Sequence, residues 1–242
     1  MIKRIRLGTR AAGRDPDALA AGWQAAVRGT ADAPDAVRPL RATVAVGLEA
    51  TRTTARYDGV GLAWFRDVAH HDAYARWRLT EGAHVDEELA DALDLDRSPL
   101  LVAHEHVARG ADWLAARWAS GGGLKHLAIA SRAEGLTAAE FSERWRNRAG
   151  VVRDASGTIV TIPDEARGCA YVQNHLLPPP PEGWAHDAVN EVHLPDDAAL
   201  RTRIEWFAEH LDPAAEADLV RDTSFLAVHE TLVFVVDSGL SL

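Results

Sequence analysis

The chain has 242 residues, 47% hydrophobic and 26% charged, which fits one large folded domain or two small ones and excludes a disordered chain. Asp plus Glu number 36 against 26 Lys plus Arg, and the formal charge of −10 would repel a polyanion, so nucleic acid is not an expected partner. Cys169 is the one cysteine, so neither a disulfide framework nor a cysteine zinc site can be built, and a cytoplasmic location is expected.

Met1 to Arg10 alternates basic with apolar residues, lacks the continuous apolar core of a signal peptide and reads as a first strand. No stretch approaches about 18 uninterrupted apolar residues, so no membrane span is expected. Asp15 is placed to cap a helix that opens with Pro16 and carries Trp23. His70-His71-Asp72 opens a later helix bearing Tyr74 and Trp77 and reads as a solvated helix start. Leu101 to His106 is the strand that follows. Trp113, Leu114, Arg117 and Trp118 then fall at helical spacing before Gly121-Gly122-Gly123, which reads as a flexible hinge.

Lys125 to Ser131 is a strand, and Thr137 with Glu140 forms a capping box ahead of Phe141 and Trp145. Strands are expected at Cys169 to His175, Ala188 to Leu194 and Phe225 to Val236, with a helix from about Asp197 to His210. Pro178 to Pro181 make a stiff loop that closes one end of the structure.

These elements repeat. Lys3 to Trp23 lies over Lys125 to Trp145 without a gap, Asp58 to Trp77 over Asp187 to Trp206, and Leu101 to Glu105 over Leu226 to Glu230. Each copy reads as strand, helix, strand, strand, helix, strand, the split β-α-β order of ferredoxin-like domains. The expected division is residues 1–110, a connecting helix and glycine hinge over 111–124, and residues 125–242. Helices cover one face of each sheet, and the other face, with Leu62, Trp64, Val102, Tyr171 and Ala227, needs a partner. Packing the two sheets together gives an α+β barrel with a space between them.

The second copy resembles an EthD domain of the dimeric α+β barrel superfamily, through Lys125-His126-Leu127, Gly135 to Phe141 with Trp145, Arg167 to Asn174, and Phe225 to Glu230. The resemblance implies a small-molecule site and reactions such as cyclisation, dehydration, decarboxylation, isomerisation or oxygenation. EthD-like helices often carry a histidine four residues after the tryptophan; here that place holds Ala149, and Val27 in the first copy.

Histidine is the informative residue, with 11 in the chain, because imidazole exchanges protons near neutral pH. His104 and His106 share a strand face, Glu191 and His193 another, Tyr171, Gln173 and His175 a third, and His229 duplicates His104. If these faces point between the sheets, the site comprises His193 or His229 as general base, Glu191 orienting it, and Tyr171 or Asn174 holding an oxyanion. His104, His126 and Trp64 are then substrate-binding residues. His104 with His106, or Glu191 with His193, could each offer two metal ligands, but no metal is expected. Trp23, Trp77, Trp145 and Trp206 read as helix-to-sheet packing, and Lys3 and Lys125 as solvent-facing strand ends. Nucleotide-binding glycine loops and the esterase and zincin motifs are absent.

The expected function is cofactor-independent acid–base catalysis, a cyclase, dehydratase or other lyase, on a small aromatic or polyketide-like molecule. The alternatives are a non-catalytic binding or accessory protein of an oxidative pathway, and a cofactor-free or haem monooxygenase. A small-molecule substrate is the expected partner, with no nucleic acid or membrane, in a monomer or homodimer.

Overall fold

The computed structural model describes residues 1–52, 55–118 and 121–236. The first half runs β1 (Ile2–Gly8), α1 (Pro16–Gly29), β2 (Arg41–Gly47), α2 (Glu49–Arg52), β3 (Gly59–Phe65), α3 (Val68–Arg78), α4 (Ala83–Ala92) and β4 (Leu100–Arg109). After α5 (Ala111–Trp118) the second half runs β5 (Gly122–Arg132), α6 (Ala138–Asn147), β6 (Val151–Arg153), β7 (Ile159–Thr161), α7 (Asp164–Arg167), β8 (Ala170–Leu176), β9 (Ala188–Leu194), α8 (Asp197–His210) and β10 (Val220–Val235).

Matching side chains start matching helices. Asp15 accepts from the Ala18 amide at α1, and Thr137 and Glu140 form the capping box at α6. Asp67 and Asp196 accept from the amides of His70 and Ala199 at α3 and α8. The strand ends match as well: Asp58 binds the backbone and side chain of Arg10, and Asp187 those of Arg132.

The strands close an eight-stranded antiparallel barrel in the order β1-β3-β2-β10-β5-β9-β8-β4, and β6 with β7 makes a separate hairpin. The fold is therefore the duplicated ferredoxin-like arrangement, sealed along two seams where β2 meets β10 and β4 meets β8. Closure leaves no bare sheet edge.

Three local expectations change. Gly122 and Gly123 begin β5 at positive φ (153° and 151°), a backbone that favours glycine, instead of forming a hinge, while Gly121 lies in the turn before it. His70 and His71 are buried, because both rings pack edge-on against Phe65. β10 begins at Val220, five residues before Phe225, since its N-terminal part pairs with β5 as far as Arg132. Trp184, beyond the proline loop, packs on the barrel core and donates to the Leu177 carbonyl, which closes that end.

No helix among the described residues is long and apolar enough to cross a membrane.

Candidate functional site

The space between the sheets is filled. Ile5, Leu7, Val60, Leu62, Leu101, Leu127, Ile129, Val189, Leu226 and Val228 pack in its middle, all at most 2% exposed. One end holds an ion-pair network. Lys3 donates to Glu105 and to Glu191 (2.5 Å), and Lys125 to Glu191 (2.5 Å) and Glu230 (2.5 Å). Arg117 from α5 adds a contact to Glu230 at 2.8 Å, and Arg41 lies over the rings of Trp64 and Trp118. Thus Lys3 and Lys125 are not solvent-facing: they are 1% and 0% exposed, because three carboxylates compensate their charge in the interior.

Glu191 bridges the lysines of the two halves. Burial alone would raise its pKa, but Lys125 and Lys3 pull it well below 4.5. Glu105 and Glu230 are lowered in the same way, burial being outweighed by Lys3 for one and by Lys125 and Arg117 for the other. His193, 4.0 Å from Glu191, is held well below 6.5 by burial and by Lys125.

The large cavity lies elsewhere, on the outer face of the second sheet beneath α6 and α8, with a volume of about 710 Å³. Its lining includes His126, Trp145, Tyr171, Asn190, Phe207 and Phe225. His126 stacks on Phe225 (5.2 Å between ring centres), and the Arg203 guanidinium covers Phe207 at 4.3 Å. Arg203 Nε donates to His126 Nδ1 at 3.1 Å; a guanidinium can only donate, so the neutral ring carries its proton on Nε2. Burial, then Arg203, lowers the His126 pKa to about 3.

The Tyr171 oxygen accepts from Asn190 Nδ2 at 2.6 Å and Gln173 Nε2 at 3.3 Å. Two donors occupy its lone pairs, so its own proton is left for another acceptor. Burial raises its pKa above 10, which keeps that proton in place. Trp145 Nε1 and Asn190 Oδ1 are buried without a hydrogen-bond partner among the described residues, and both residues line the cavity.

The duplication explains why the equivalent cavity of the first half is smaller. In the first half the indole of Trp23 lies on the sheet, 1% exposed, over Gly8, Gly59 and Gly61. A Cβ at Gly61 would stand 2.8 Å from Trp23 Cζ2. The duplicate positions are Ala130, Ala188 and Asn190, whose side chains exclude an indole from that place. Trp145 stacks instead on Phe141 (5.5 Å) and leaves the space open. The matching cavity of the first half, lined by Arg4, Trp23, Gly61 and Tyr74, holds only about 50 Å³.

The residues singled out from sequence thus divide into three groups. Glu191, His193, Asn174 and Trp64 meet inside the barrel, where Asn174 donates to Glu191 (3.0 Å) and Trp64 to Glu105 (2.7 Å). Tyr171 and His126 line the outer cavity rather than the space between sheets. His104, His106 and His229 are exposed. The cause is strand parity. Ala103 and Glu105, Lys125 and Leu127, and Val228 and Glu230 point inward, so His104, His126 and His229 between them point out. By the same alternation Val102, Tyr171 and Ala227 face the helices, not the opposing sheet.

Sequence reasoning missed Asn190 and Arg203 and assigned Trp145 to packing. The signal that finds them is the exchange of glycines 8, 59 and 61 for bulkier duplicates opposite a shared tryptophan. Among the described residues, no three His, Cys, Asp or Glu side chains are grouped to hold a metal ion.

Fold and site together define a single-chain α+β barrel with a helix-covered cavity on one sheet. No protein-family model and no curated protein matches the chain. Among solved structures, the chain is similar in fold to an anthrone oxidase-like protein, with a TM-score of 0.52, 12% identity, and 100% of this chain and 94% of that one covered. A candidate monooxygenase from Lactobacillus acidophilus NCFM aligns over 98% of this chain and 99% of its own, at 11% identity and a TM-score of 0.49. At 12% identity the likeness to the anthrone oxidase-like protein is one of fold.

Proposed function

We propose that the outer cavity binds a planar aromatic molecule carrying a carbonyl or phenolic oxygen, and that the protein acts on it in an oxidative step. The observation that carries this reading is the unspent donor Tyr171 O–H beside an aromatic floor of Phe225 and Phe207. Such a donor favours an oxygen that gains negative charge, and the nearby Arg203 cation adds to the effect. An enolisable aromatic ketone held there loses a C–H proton to water to give an enolate. The enolate reduces dioxygen, forming a carbon–oxygen bond; the peroxide anion takes a proton back from solvent, and the resulting hydroperoxide loses water to leave a new carbonyl. The name of the anthrone oxidase-like structure supports a molecule of this kind.

A lyase or cyclase working through His193 or His229 has less support, since one is sealed among ion pairs and the other lies on the surface. A non-catalytic carrier is the second reading. It is favoured by His126, whose pKa of about 3 makes it a poor base.

Purified protein mixed with an anthrone in air is expected to consume oxygen faster than buffer. Tyr171→Phe is expected to lower kcat by about 100-fold, the usual effect of deleting one oxyanion donor. Binding without oxygen uptake would establish the carrier instead, and no binding of anthrones or polycyclic phenols would refute the assignment of the cavity.

A further inference from the structure

The cavity is cationic in an acidic protein. Five arginines (Arg109, Arg148, Arg167, Arg203, Arg221) line it against two carboxylates, Glu216 and Asp222, although the whole chain carries −10. Some of this charge is cancelled locally. Arg148 makes two bonds to Glu216 (3.1 and 2.8 Å), and Arg167 pairs with Asp164 at 3.0 Å. Asp222 faces Arg56 at 3.6 Å.

Arg109 and Arg203 are different. Arg109 donates to the carbonyls of Gly168 and Arg167 (2.7 Å each), and Arg203 to the carbonyl of Ala166 (2.6 Å) and to neutral His126. Neither has an ion-pair partner among the described residues. Carbonyl dipoles orient a guanidinium without cancelling its charge, so both cations project a field into the cavity.

Arg221 completes the set. The pairing of β10 with β5 shifts register between Val220 and Asp222, so Arg221 is the extra residue of a bulge. Bulges re-aim a side chain, and Arg221 lines both the 710 Å³ cavity and a neighbouring one of about 450 Å³, which places it at their shared rim. Its side chain is exposed, with no hydrogen bond or ion pair to another described residue. The aromatic floor cannot hold an anion, whereas this rim can.

We infer that the ligand of the cavity is an acid: an aromatic molecule with an ionised carboxylate that Arg221 binds at the rim, within the field of Arg109 and Arg203. This rests on the reading of the cavity as an aromatic site and specifies the substrate class. The ring system lies inward toward Phe225, with its reacting oxygen near Tyr171, and the carboxylate marks the outward end. A guanidinium pairs with a carboxylate through two parallel hydrogen bonds, so the contact also fixes orientation.

The test compares anthraquinone-2-carboxylate with anthraquinone-2-carboxamide on the full-length protein by calorimetry. At low salt the carboxylate is expected to bind about 10-fold more tightly, an advantage that shrinks at high salt. Arg221→Gln, at an exposed position that leaves the core intact, is expected to abolish most of that advantage while leaving carboxamide affinity unchanged. Equal affinities, or an advantage undiminished by Arg221→Gln, would overturn the acid-binding inference and leave the aromatic site standing. Failure of both compounds to bind would overturn the two together.

Discussion

Replacing Glu191 with leucine is expected to destabilise the protein by about 3–5 kcal/mol, the usual cost of removing one partner from a buried ion pair. Glu191 is 1% exposed and touches Lys3 and Lys125, both buried, so its loss leaves each lysine with a single carboxylate. Because the two lysines come from the two halves, the substitution also removes the charge that ties one sheet to the other. The measurement is the urea midpoint at neutral pH, with an unchanged slope showing that the same surface is exposed on unfolding. A shift below about 1 kcal/mol would mean that water or lysine deprotonation relieves the buried charge.

The same network makes the protein sensitive to acid. The folded pKa values of Glu105, Glu191 and Glu230 lie below 4.5, so their contribution is complete above that value and is lost as pH falls through the folded values. His193 and His126 are also depressed, the latter to about 3, so the unfolded chain takes up their protons first as pH drops below 6.5. Stability is therefore expected to decline from about pH 6.5 and to fall more steeply near 4.5. Urea midpoints measured from pH 8 to 4 check this; a flat profile across that range contradicts it.

Gly61→Asn installs in the first half the residue that its duplicate carries, and is expected to cost at least about 1–3 kcal/mol. Its Cβ would stand 2.8 Å from the Trp23 ring, and the amide would be buried under the helix. Trp23 must then leave the sheet, as Trp145 does in the second half. Near-ultraviolet circular dichroism and the urea midpoint report the change. A variant as stable as the parent would show that side-chain bulk at this position does not decide which half is hollow.

Much of this is legible in the sequence. Asp15 and Thr137 with Glu140 are local chemistry, set by residues close in sequence, and each caps the helix expected of it. The duplication was legible too, because equivalent elements keep their caps and aromatic positions while loops change length. The candidate site was not. His126 and Tyr171 belong to it, but Glu191, His193 and Asn174 lie on the opposite face of the same sheet, and His229 is exposed. Alternation identifies which residues share a face but carries no label saying which face is inside; a shift of one residue exchanges them all.

The amino-acid order therefore determines the repeated strand and helix pattern, the capping of its helices and the need for two sheets to cover one another, since these follow from periodicity and short-range hydrogen bonding. Tertiary packing alone decided that the barrel interior would be closed by Lys3, Lys125 and Glu191, residues far apart in the chain that neutralise one another only when the halves meet. It also decided that the open space would lie outside, under α6. The physical reason is a matter of bulk: glycines admit Trp23 to one sheet, and Ala130, Ala188 and Asn190 keep Trp145 off the other.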